Sequence, residues 1–214
     1  MTESSEQMGV FDVIYNCRAM RRLDTREVPE ELLRKLVDAG NQAPTGSNQQ
    51  GVRWIIVRDA AVKRELADCN RRGVEAYIGP RLENLEELPH QSPAKRRRML
   101  DAVLWQMEHM HELPALIVAC HDFGEPPTPE QHAAGNVAVW PAVQNVLLAA
   151  RALGLGAAPT TLGLIDRGAA AAALRLPETM APYCLIPVGY PLGRFGPVTR
   201  KPLDEVLRFD RWSD

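Results

Sequence analysis

Three guanidinium groups crowd residues 17–22, CRAMRR: Arg18, Arg21 and Arg22. They follow an apolar run in which Val10, Val13, Ile14 and Cys17 recur at helical spacing. A helix continued through them would set Arg21 and Arg22 on the face that carries Arg18. Like charges so placed repel by roughly 0.2–0.5 kcal/mol per pair, and a bound anion is the simplest group to offset that cost. One arginine would complement the end of a helix; three are harder to explain that way. Three more stretches suit the rest of an anionic, planar ligand. The loop TGSNQQG carries Ser47, Asn48 and Gln50, and amides match a ring edge with both donors and acceptors. The turn APTTLG, with Pro159, Thr160, Thr161 and Leu162, can present backbone N–H groups to a redox-active ring nitrogen. The tail adds Arg200 and Lys201, and arginine forks suit phosphate.

Other chemistries find less support. There is no phosphate loop of the G-x-x-x-x-G-K-[ST] type and no G-x-S-x-G elbow. The stretch GLGAAPTTLG begins as G-x-G, lacks a third glycine in place, and follows a helix instead of a strand. His109 and His111 lie two apart, on different sides of a helix, while His90, His121 and His132 are isolated, so no metal centre is indicated. Cys17, Cys69, Cys120 and Cys184 are widely spaced, which reads as reduced thiols. Cys120 and Cys184 fall in apolar runs and belong to the core. Cys17, beside arginines that favour its thiolate, reads as a packed bystander. A net charge of −2 removes the broad footprint of a nucleic-acid binder. The run KRRR (95–98) reads as the solvated start of a helix. The first residues show neither the basic start nor the apolar stretch of a signal peptide, no segment approaches eighteen uninterrupted apolar residues, and a cytoplasmic location is expected.

The elements that must position these groups follow from periodicity. With 214 residues, 45% hydrophobic and 24% charged, the chain suits one domain spanning 1–214. A first helix ends at the arginines. A second follows Pro29, with Glu30 and Glu31 in its first turn and a stripe of Leu32, Leu33, Leu36 and Val37. VRWIIV reads as a strand, and residues 59–69 as a short helix. Residues 71–90, interrupted by Gly79-Pro80 and Pro89, read as the start of a variable, lid-like excursion over about 71–112, within which a helix resumes behind Ser92-Pro93. PALIVACHD and YCLIPVGYP read as buried strands. Between them lies a helix starting near His132, apolar nearly all round and interrupted by Pro141, then a short helix capped by Asp166. Residues 193–214 have aromatics but little room to fold alone, and could reach around a partner.

Taken together, CRAMRR, APTGSNQQGVRWIIV, RALGLGAAPTTLG and GYPLGRFGPVTRKPLDEV, in this order, resemble the FMN-dependent nitroreductase family over nearly the whole chain. The resemblance implies an α+β, three-layer sandwich with a mixed β-sheet between helices. It also implies a homodimer embraced by C-terminal arms, with two FMN molecules at the interface. By the same resemblance Arg18 and Arg22, with the backbone at Ala19 and Met20, fall at the FMN phosphate, together with Arg200 and Lys201. Ser47, Asn48 and Gln50 fall on a loop brought by the partner, and Pro159, Thr160, Thr161 and Leu162 beside the ring. Met20 stands where many members have serine, and Gly51-Val52 replaces a common Pro-Trp, which opens space near the flavin or alters the entry to the strand. Arg21 reads as exposed. The activity implied is ping-pong transfer of hydride from NAD(P)H to a nitroaromatic, quinone or similar acceptor. Reductive dehalogenation, flavin fragmentation and a non-catalytic flavin- or anion-binding module are the alternatives.

Overall fold

The computed structural model describes residues 8–83 and 92–212. Four strands, β1 (Val52–Val57), β2 (Ala115–Asp122), β3 (Gly156–Ala157) and β4 (Met180–Gly189), form one sheet in the order β1-β2-β4-β3. Every pairing is antiparallel, which corrects the expectation of a mixed sheet within this chain. The reason is topological. β2 and β3 run the same way, as a strand–helix–strand crossover requires, but β4 lies between them, so no parallel ladder forms among the described residues.

β2 is the spine. Its residues 115–120 are fully buried, and the period of two sends Ala115, Ile117 and Ala119 to one face and Leu116, Val118 and Cys120 to the other. Each large apolar side chain so buried stabilises the fold by roughly 1.5–3 kcal/mol. The register slips between Ala119 and Cys120, where Tyr183 of β4 is the extra residue. That bulge lets Tyr183 and Cys184 both face the first side. Burial pushes the thiols of Cys120 and Cys184 up to about 12, as befits core groups.

Among the described residues, seven α-helices flank the sheet and its ends. α1 (Val10–Asn16) stops before Cys17, and residues 17–22 are not helical, so the arginines do not share a helix face and the repulsion expected there does not arise. α2 (Glu30–Asn41) starts directly after Pro29 and buries Leu33 and Leu36 against the first face. α3 (Ala60–Glu83) is twice the expected length. Leu66, Asn70, Val74 and Ile78 keep one buried stripe going, so Gly79-Pro80 do not end the helix and residues 71–83 are no loose excursion. Pro89 and His90 lie outside the described residues. α4 (Pro93–His109) begins as expected behind Ser92, whose Oγ accepts from the N–H of Lys95. Its Leu100 and Met107 meet Val74, Ile78 and Leu162. Arg97 pairs with Asp101 at the solvated helix start.

α5 (Pro129–Ala152) starts three residues before the expected point. Thr128 and Gln131 form a capping box that the His132 reading overlooks. The helix continues through Pro141. Val139, Val143, Val146 and Ala150 pack on the sheet, while Val137 is 75% exposed and Trp140 stands beside it. α5 is long and apolar enough to cross a membrane by length and composition alone, yet a third of its apolar window is buried inside this fold. α6 (Arg167–Ala173) is capped as expected, Asp166 Oδ1 accepting from Ala169 N–H at 2.9 Å. The layers are thus α2 and α5, the sheet, then α3 and α6, the three-layer α+β sandwich expected. α7 (Leu203–Val206) lies in the tail, where Leu203, Val206, Phe209 and Trp212 are exposed.

Two outcomes test this packing. At Gly73 an added Cβ would stand 1.9 Å from the Leu162 carbonyl oxygen. Helix propensity favours Gly73→Ala by about 1 kcal/mol, whereas forcing atoms into packed backbone costs about 1–3 kcal/mol or more. Packing should win, and chemical unfolding should show a net loss of stability; a gain would contradict the α3–turn contact. Burial, aided by Arg53 and opposed by Asp122, holds the His121 imidazole below its ordinary value. A histidine depressed in the folded state binds fewer protons there than when unfolded. Its stability is therefore present above about pH 6.5 and lost as pH falls. Melting followed from pH 7.5 to 5.5 should fall less steeply for His121→Asn than for the parent.

Candidate functional site

Residues 17–22 lie along the β3–β4 edge. The Met20 N–H donates to Ala157 O at 3.0 Å, and the Leu192 N–H to Arg22 O at 3.0 Å. Met20 itself is 7% exposed, packed with Leu23, Leu113, Trp105 and Phe195. Its side chain is therefore a core group and offers nothing to a phosphate. Arg18, Ala19 and Arg22 are exposed. Arg21, expected in solvent, is instead half-buried, and burial pulls its guanidinium below the ordinary arginine value.

The base of the tail returns to this segment. The Val198 N–H donates to Tyr15 O at 3.1 Å, and a Cβ on Gly196 would stand 3.9 Å from Arg18 Nη1. Arg200 comes near enough to Cys17 for its charge to favour the thiolate, as does Arg151 of α5, although burial is the larger effect and raises the thiol. The base of the tail thus runs beside the segment that carries Arg18, and Arg200 follows two residues beyond Val198. Lys201 is turned to Glu205 at 3.9 Å in an exposed pair, which contributes little.

Ala157 leads straight into the turn at 159–162. Thr160 exchanges both backbone hydrogen bonds with Leu185 of β4. Its hydroxyl donates to Asn70 Oδ1 at 3.1 Å and accepts from the Leu162 N–H at 3.3 Å. Asn70 is 2% exposed, so this is a buried polar clamp, and the Gly73 backbone closes on the Leu162 carbonyl from the same helix. Pro159 is half-buried and Thr161 stands exposed at the tip. A single surface thus carries the arginine corner and the clamped turn.

The amide loop lies elsewhere. Ser47, Asn48 and Gln50 all have φ near +50°, a left-handed geometry that fixes an irregular, exposed loop. The Gln50 N–H donates to Thr45 Oγ1, and Arg53 Nη1 donates to the Gln50 carbonyl. The loop enters β1 at Val52, which pairs with His121 at the far end of β2, whereas Gly156 meets Gly189 at the other end. Some six strand positions separate the two, roughly 20 Å at 3.3 Å each, and β1 and β3 are opposite edges of the sheet. One chain alone does not bring the loop to the arginines. Beside the loop is a groove of about 770 Å³ lined by Pro44, Gln49, Gly51, His121, Asp122 and Gln131 among others. A Cβ at position 51 would stand 2.5 Å from His121 Nε2. The imidazole therefore occupies the space a side chain at position 51 would need, and both residues line the groove.

Sequence reasoning missed Arg151 and Asn70. Asn70 gave no signal, being one polar residue on a charged helix. Arg151 gave one: it is the sole Asp, Glu, Lys or Arg between Glu130 and Asp166.

The arrangement suits an elongated ligand with an anionic end at the arginines and a polar ring at the turn. Comparison with known proteins agrees in fold. NADH dehydrogenase of Thermus thermophilus is 30% identical over 201 residues, 89% of this chain and 90% of that one. Iodotyrosine deiodinase of Thermotoga neapolitana is 26% identical, over 92% of this chain and 95% of its own. In structure, iodotyrosine deiodinase bound to FMN and 3-iodo-L-tyrosine superposes with a TM-score of 0.73 at 23% identity, covering 95% of this chain and 100% of that chain. The model of the nitroreductase family matches residues 14–190, a span that holds the arginine segment, all four strands and the clamped turn, and to that family this chain belongs.

Proposed function

We propose that the protein is an FMN-dependent oxidoreductase that works as a homodimer, takes hydride from NADH or NADPH, and reduces a nitroaromatic, quinone or similar small acceptor by a ping-pong scheme. One observation carries the reading. The arginine corner and the clamped turn share one surface, while the amide loop stands at the opposite end of the sheet. A second copy can supply that loop. The apolar residues left uncovered, Phe11, Tyr15 and Val137 on the helices and Phe209 and Trp212 on the tail, give such a pairing surface to bury. Beyond its base the tail leaves large apolar side chains uncovered, Phe209 at 84% exposure, and serves as an arm around the partner.

The residues present fit FMN. Arg151 Nε is buried with no described hydrogen-bond partner, and no described carboxylate pairs with Arg18 or Arg200. An anion at this corner would answer both. Arg18 and Arg200 hold the phosphate, with Arg22, Lys201 and the backbone at Ala19 around them; Met20, expected there too, has its N–H committed to Ala157 O and its side chain in the core. Bound FMN supplies the redox chemistry, accepting hydride and returning electrons to the acceptor. The protein's part is position: the Asn70–Thr160 clamp fixes Pro159, Thr160, Thr161 and Leu162 against the ring. Ser47, Asn48 and Gln50 of the other copy meet its polar edge. No acid–base pair is required. Reduced cysteines, all four of them free, suit the cytoplasm.

A second reading keeps the flavin and changes the reaction to reductive dehalogenation, favoured by the deiodinase relative. Purified protein should be yellow or become so with FMN, bleach with NADH or NADPH without air, and regain colour with a nitroaromatic or quinone. Reoxidation by 3-iodotyrosine alone would select the second reading, and a colourless protein indifferent to FMN would overturn both. Arg18→Ala should weaken FMN binding by about 1.5–3 kcal/mol, the worth of a charge-assisted hydrogen bond, with melting of the apo-protein little changed. Lost apo stability with intact FMN affinity would make Arg18 architectural.

A further inference from the structure

We infer that Arg151 is a third phosphate-binding residue of this protein, completing with Arg18 and Arg200 a site selective for a phosphomonoester. The inference deepens the FMN reading and rests on it. Arg151 sits in the last turn of α5, where a cation ordinarily complements the helix dipole. Its surroundings ask for more. The guanidinium lies over the Phe195 ring, 4.1 Å from the centroid. Phe195 precedes Gly196, against which Arg18 Nη1 lies. Arg151 and Arg18 thus flank two consecutive residues at the base of the tail.

The three cations converge from three elements. Arg18 comes from the segment after α1, Arg151 from α5, and Arg200 from the tail. Cys17 feels both Arg151 and Arg200, and its Sγ is turned to the Leu147 carbonyl one helical turn before Arg151. Among the described residues none of the three arginines has an ion-pair partner, and the Nε of Arg151 is buried without a hydrogen bond. Stacking on Phe195 holds the guanidinium plane but satisfies none of its N–H groups. A dianionic phosphate offers acceptors to several forks at once. Met20 is buried beside this corner and offers it no polar group. A guanidinium arriving from α5 adds donors that the segment after α1 does not supply there.

The test compares FMN with riboflavin, which share the ring and differ in the phosphate, by fluorescence titration of full-length apo-protein. Arg151→Met keeps the apolar stem and loses the fork. FMN should then bind about ten- to hundredfold more weakly, the equivalent of one charged hydrogen-bonded contact, while riboflavin affinity stays within about twofold. Phe195→Leu removes the stacking surface and leaves the guanidinium, and should keep most of the preference for FMN. Unchanged FMN affinity in Arg151→Met overturns the assignment. So does an equal loss for both flavins, or the same loss of preference in Phe195→Leu, since Arg151 would then act only by holding the tail in place. A parent protein that binds neither flavin overturns the FMN reading itself, and one that binds both equally well overturns the phosphate site while leaving the ring site standing.

Discussion

The structure turns on cations held together without counter-charges of their own. Arg18, Arg151 and Arg200 come from distant parts of the sequence, and one backbone hydrogen bond between Val198 and Tyr15 helps tie the tail to the segment that carries Arg18. Folded proteins seldom gather guanidinium groups in one corner unless something negative belongs there. The apolar contacts around them are ordinary: Met20, Leu23, Leu113 and Phe195 form a small satellite core beneath the corner. Hydrophobic burial thus sets the frame, and the unbalanced charge is the feature on which the proposed phosphate site rests.

The rest of the fold serves that corner and the turn beside it. A strand buried on both faces anchors the sheet, and the bulge at Tyr183 shifts β4 so that Leu185 pairs with Thr160. α3, packed on α4 along Val74, Ile78 and Leu100, brings Asn70 and Gly73 to the turn. Position at the turn is therefore bought with a buried polar network that must stay fully satisfied. The amide loop, strained into left-handed backbone at three residues, points away from its own chain's arginines. That separation is the structural argument for two copies.

Much of this was legible in the sequence because the signals were periodic. Alternation and continuous apolar runs marked β1, β2 and β4, and caps marked α4 and α6. The failures have physical causes. The helix after Val10 was carried too far because the arginines hid its end; extended pairing with the β3 edge outweighed helical continuation. α3 was cut short because Gly79-Pro80 looked like a breaker, while the buried stripe through Ile78 held the helix together. β3, two residues long, has no period to read. The mixed sheet implied by the resemblance has no counterpart in strand periodicity, which carries no direction; only the pairing shows that β4 intervenes between β2 and β3. At the candidate site, Arg18 and Arg200 stand out in the sequence by residue type. Arg21 and Asn70 do not: the half-burial of Arg21 depends on tertiary packing, and the contact of Asn70 exists only once Thr160 is beside it.

Mixed dimers give the most direct measurement. One subunit carries Arg18→Ala and the other Asn48→Ala with Gln50→Ala, and flavin stoichiometry is read by native mass spectrometry. If each site takes its arginines from one copy and its amide loop from the other, the mixed dimer gathers both defects in one site and leaves the second intact. It then holds one FMN at parental affinity, although neither variant homodimer holds any so tightly. Two equally weakened sites in the mixed dimer would mean that each chain builds its site alone.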